Sequence, residues 1–110
     1  MPYISITGLR LNHWRYYPRF AWNAVRSMTQ AHSAPGNISA SAQKIDGVHH
    51  TLTVWEDRES MRRYLKAGAH RRAMMGFHEY ATGMVCGYEA DVPPRWEDVP
   101  RIWTEKGREV

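Results

Sequence analysis

The sequence predicts an α+β domain: a ferredoxin-like split βαβ arrangement with a four-stranded antiparallel sheet and its helices on one face. Three features carry that expectation. Tyr3 to Leu11 alternates like a strand, Asp46-Gly47 separates two further strand-like runs, and the spacing of apolar residues becomes helical after Trp55. With 110 residues, 43% of them hydrophobic and 24% charged, the chain has the composition of one folded unit rather than of a disordered segment. Residues 1–92 are assigned to the α+β domain and residues 93–110 to a C-terminal tail.

The first strand puts Ile4 and Ile6 on one face and Ser5, Thr7 and Leu9 on the other. A helix follows, with Pro18 in its first turn and Ala21, Ala24, Val25, Met28 and His32 as its apolar stripe; Pro35-Gly36 stops it. The next two strands, Asn37–Ile45 and Val48–Trp55, flank Asp46-Gly47, a dipeptide suited to the positive φ angles of a two-residue type I′ turn. Asp57 is placed to cap a second helix in which Met61, Tyr64, Leu65 and Gly68 recur at helical spacing, with Gly68 as its break. A short third helix is expected over 69–80, with His70, Ala73, Met74 and Phe77 on one face, and a last strand over 82–91. Pro93-Pro94 ends that strand. Trp96 and Trp103 are costly to leave in water, so the tail is expected to pack on the body or on a partner subunit.

Composition narrows the function. The net charge of +4 comes from arginines spread among acidic residues without a basic tail, which describes a solvated surface. No apolar run is long enough to cross a bilayer and the N-terminus reads as a strand, so the expected setting is cytoplasmic, without membrane contact. The single cysteine, Cys86, is expected to be a packing residue. No metal site is expected, because His49 and His50 are adjacent in a strand and face opposite sides, and no histidine pair has i, i+4 spacing.

The helices cover one sheet face and leave the other for a partner, so a homodimer through that face is expected. A pocket between sheet and helices needs small residues on a strand and a few polar groups aimed inward, and Ser39-Ala40-Ser41-Ala42 supplies small residues on both faces. His70 is the sharpest candidate for proton exchange, with Arg26 or Tyr64 to stabilise an anion. Ser39, Ser41, Trp22, Trp55, Met74 and Phe77 are the candidate ligand-binding residues, the aromatic ones suited to a planar compound.

Pro35-Gly36 after the first helix, Thr51-Leu52-Thr53-Val54-Trp55-Glu56-Asp57, Met61, Tyr64-Leu65, Gly68, His70 and Ala73-Met74 together resemble the antibiotic biosynthesis monooxygenase-like domains of the dimeric α/β-barrel superfamily. The resemblance covers about residues 3–92. It implies a homodimeric barrel with a small-molecule pocket in each protomer, in a group that includes cofactor-free quinone-forming oxygenases, haem-degrading oxygenases, isomerases and proteins without a known reaction. An aromatic or polyketide-like substrate and no cofactor are the main expectation. The alternatives are haem held by His70 and a noncatalytic ligand-binding dimer. The haem-ligand position of the haem-degrading relatives falls on Met74, one turn beyond His70, which weighs against haem. RNA-recognition modules share the element order, but His49-His50-Thr51-Leu52-Thr53-Val54-Trp55 lacks their aromatic platform, so no nucleic-acid partner is expected.

Overall fold

A computed structural model describes residues 2–66 and 81–109 of the chain. The helix expected over 69–80, and with it His70, Met74 and Phe77, lies outside the described residues. In chain order the elements are β1 (Tyr3–Leu11), α1 (Tyr17–Ser33), β2 (Asn37–Ile45), β3 (Val48–Trp55), α2 (Arg58–Leu65), β4 (Ala81–Glu89), α3 (Val99–Lys106) and β5 (Arg108–Glu109). The strands form one antiparallel sheet in the order β2-β3-β1-β4-β5. The sheet thus has five strands, not the expected four. After α3 the chain turns at Gly107, and Arg108 and Glu109 pair with Val85 and Met84 along the outer edge of β4. A short added strand on an open edge satisfies backbone groups that would otherwise face water or another chain.

Local chemistry explains the joints. Asp46 and Gly47 have φ angles of 51° and 79°, and Ile45 pairs directly with Val48, so β2 and β3 are joined by a two-residue loop of the expected kind. Gly36, at φ 87°, turns the chain after α1, and its carbonyl accepts a hydrogen bond from the Glu56 N–H at 2.8 Å. A Cβ at this position would run into the Ser60 side chain, so glycine is needed for space as well as for conformation. Asp57 caps α2 by accepting from the Ser60 N–H at 2.8 Å, a bond that holds its carboxyl below the usual carboxylate range. The Tyr64 hydroxyl then donates to the Ser27 carbonyl at 3.0 Å and ties α2 to α1.

Alternation along the strands builds two unlike faces. Ile4, Ile6, Leu52, Val54 and Cys86 form one apolar cluster, closed by Val99 of α3, with Trp96, Ile102 and Trp103 packed against it. This is the face that the sequence left for a partner sheet. Here the chain's own C-terminal segment covers its centre, making a three-layer arrangement in which α3 lies opposite α1 and α2. The Trp103 Nε1–H donates to the Met84 carbonyl at 2.8 Å. Gly8 makes room for this ring, since a Cβ there would lie 2.5 Å from Trp103 and 2.8 Å from His50.

On the other face Trp55, Ala31 and Tyr64 form a second cluster with Tyr3, Ala40 and Met61 against it, and Leu9, Tyr16 and Phe20 surround Ala81 in a third. The inward stripe of α1 differs from the one expected. Val25 is 62% exposed and His32 is exposed, whereas Ala31 is wholly buried. The small Ala31 lets α1 approach the Trp55 and Tyr64 rings, and that contact sets the rotation of the helix. No described helix is long and apolar enough to cross a membrane.

Candidate functional site

A cavity of about 580 Å³ lies between the sheet and the two helices α1 and α2. Its floor comes from the polar positions of the alternating strands. Ser5 and Thr7 of β1 and Thr51 and Thr53 of β3 share this face because Ser5 pairs with Thr53 and Thr7 with Thr51 across the ladder. The Thr7 and Thr51 hydroxyls hydrogen-bond to each other, and the Thr53 hydroxyl donates to the Ser5 carbonyl at 3.5 Å. The roof is largely apolar, with Ala24 and Met28 from α1 and Met61 from α2. A row of hydroxyls beneath an apolar roof suits a flat, mostly apolar guest that carries oxygen functions.

Aromatic and charged groups mark one end. The His49 ring lies 4.4 Å from Phe20 and 6.2 Å from Tyr17, centroid to centroid. Lys44 is the cross-strand partner of His49, and both residues line the cavity. Burial, and then the neighbouring Lys44 charge, push the His49 pKa below its ordinary value and favour the neutral imidazole. Tyr64 also lines the cavity, but burial pushes its phenol up to about 12, so it stays protonated as a donor. Among the described lining residues there is no aspartate or glutamate. Neutral His49 is therefore the described group on this face whose ordinary pKa lies nearest neutrality.

His50, the next residue, belongs to the other face. It is buried, its Nδ1–H donates to the Thr7 carbonyl at 3.1 Å, and its ring meets Trp103 edge-on at 4.9 Å. Burial is the main cause that lowers its pKa; the Arg10 charge adds to the fall and the Thr7 bond opposes it.

The structure brings together only some of the residues that the sequence singled out. Tyr64 lines the cavity. Trp55 is fully buried against Tyr64, with ring centroids 5.1 Å apart, as part of the core beside the cavity. Trp22 is 63% exposed on the outer side of α1, and the Arg26 guanidinium lies over its ring at 5.8 Å. Ser39 and Ser41 pair with Val54 and Leu52, so they share the sheet face turned away from α1 and α2, and both are exposed. From that small-residue run it is Ala42 that lines the cavity. His70, Met74 and Phe77 lie outside the described residues. His49 and Lys44 were missed, although the Asp46-Gly47 turn already fixes them as a directly opposed pair. Among the described residues no group of three or more histidines, cysteines or carboxylates could hold a metal ion.

No family model matches the sequence, and no curated protein matches it. Solved structures do. SnoaB, a cofactor-independent oxygenase from Streptomyces nogalater, superposes with a TM-score of 0.67 at 14% identity, over 83% of this chain and 94% of its own. Rv0793 from Mycobacterium tuberculosis gives 0.74 at 9% identity, over 86% of this chain and 100% of its own. A Nitrosomonas europaea protein provisionally described as an antibiotic biosynthesis monooxygenase gives 0.72 at 9% identity, over 82% and 99% of the two chains. The chain therefore shares the fold of these proteins.

Proposed function

We propose that the protein is a small-molecule enzyme of the monooxygenase-like type, acting as an oxygenase or a proton-shuffling isomerase on an aromatic or polyketide-like compound. The observation that carries this reading is the cavity of about 580 Å³, apolar above and lined with hydroxyls below, between the sheet and α1 and α2. SnoaB, which has this fold, is a cofactor-independent oxygenase, and the likeness favours the same class by analogy of fold. In such chemistry the deprotonated substrate itself reduces dioxygen, and the protein's tasks are to take a proton and to hold the resulting anion. His70 and Tyr64 remain candidates for those tasks. The reading includes a homodimer on the α3 side of the sheet, where Ser39 and Ser41 of β2 stay exposed beyond the cover of α3.

Oxygen uptake with a panel of tricyclic hydroxyaromatics tests the reading. Turnover should disappear when Ala24→Trp fills the cavity, and turnover that survives this change would place the chemistry elsewhere. A spectrum recorded with added haem should show no Soret shift. Sedimentation of the full chain should give the mass of a dimer.

A further inference from the structure

We propose that His49 and Lys44 form a proton-accepting and anion-holding pair at one end of the cavity, selecting planar apolar compounds that carry an acidic hydroxyl. This rests on the cavity reading above and names the chemistry of one end of it. The geometry comes from the hairpin: Ile45 and Val48 flank the two-residue turn, so the next pair on the ladder is Lys44 opposite His49. Residues directly opposite on one sheet face have side chains within reach of each other. Both line the cavity, and the hydroxyls of Thr7 and Thr51 continue the polar strip along its floor.

The surroundings divide the labour. Phe20, 4.4 Å from the imidazole, gives a flat apolar wall beside the ring, while Tyr17 faces it from α1 and Lys44 from β2. Burial and the lysine charge both favour the unprotonated ring, the form that accepts a proton. In the proposed step the substrate O–H bond breaks and an N–H bond forms on the bare imidazole nitrogen. The electron pair stays on the substrate oxygen, giving an oxyanion beside the Lys44 ammonium and the new imidazolium. No oxidant enters this step. A compound without an ionisable hydroxyl gains nothing from the pair, which makes it a selectivity device as well as a base.

Quinizarin, a tricyclic dihydroxyquinone whose colour changes on ionisation, serves as the probe with the full chain. Bound to the wild type, it should ionise at a pH about one unit below that of the free dye, a tenfold change in the equilibrium. Lys44→Met should abolish the shift; this exposed residue can be replaced without disturbing the core. His49→Gln should reduce it. His49→Phe, which keeps a ring against Phe20, should behave like His49→Gln and separates loss of the base from loss of packing. If the dye binds in the cavity, as displacement by Ala24→Trp would show, but ionises alike in the wild type and the variants, the pair is overturned and the cavity reading stands. If only His70→Gln removes the shift, the proton acceptor is His70 and the assignment to His49 fails. If the dye does not bind the wild type, both the cavity reading and the pair lose their basis.

Discussion

His49 and His50 are neighbours in one strand, yet they sit in opposite environments. The first opens on a cavity, beside Phe20 and across from Lys44; the second is sealed beneath Trp103 with its donor committed to the Thr7 carbonyl. The strand's two-residue period makes the difference. The two faces of this sheet are built differently as a result: the α3 face is closed by apolar packing, whereas the α1 and α2 face is left partly hollow and lined with hydroxyls. A hollow face gives up contacts that a closed face keeps.

The contrast can be broken most directly through Trp103. Trp103→Ala removes the indole over Gly8 and His50 and the hydrogen bond to Met84, and should cost about 3 kcal/mol in urea unfolding. Met28→Ala, on the cavity roof, should cost clearly less; equal losses would erase the distinction between the faces. Gly8→Val tests the fit from below. It should cost about 2 kcal/mol by overpacking against Trp103 and His50, and an unchanged unfolding midpoint would show that the contact is loose. Tyr64→Phe, which cuts the link to the Ser27 carbonyl, should lower stability by about 1 kcal/mol in the same assay.

The smallest effect is a pH dependence. The pKa of His50 is lowered in the fold, so the unfolded chain binds more protons at mildly acidic pH. Its contribution is therefore fully present above about pH 6.5, the unfolded value, and is lost as pH falls below that toward the lower folded value. His49 shifts in the same direction and adds to the slope. Unfolding measured at about pH 7.5 and about pH 5.5 should show the decline, and His50→Gln should remove part of it. A slope that His50→Gln leaves intact would assign the whole dependence to other groups.

Much of the scaffold was legible because its signals are local. The alternation of Tyr3 to Leu11, the Asp46-Gly47 turn and the Asp57 cap each depend on a few neighbouring residues, and each appears where expected. The rotation of α1 was not legible. Ala31 and Val25 are both apolar, and only the rings of Trp55 and Tyr64, brought in from distant elements, decide which faces inward. The C-terminal helix carried a weaker local signal, with Val99, Ile102 and Trp103 at i, i+3 and i+4, but its flanking charges made the segment read as a polar tail. The candidate site was legible only in part for the same reason. Tyr64 could be placed from helical spacing, whereas the partnership of His49 with Phe20 joins a strand to a helix and is visible only in three dimensions.

Cys86 lies beneath the segment that closes the α3 face, 4% exposed within the cluster that Val99 caps, and burial pushes its thiol pKa up. A sulfur held there as the thiol reacts slowly in the folded chain, and excursions in which α3 lifts from the sheet should raise its exposure. Its labelling rate under native conditions is thus a built-in clock for sub-global opening around β4, sensitive to the C-terminal segment on one side and to the cavity on the other. Because Cys86 also borders the cavity, a ligand bound there should slow that labelling by covering the strand directly.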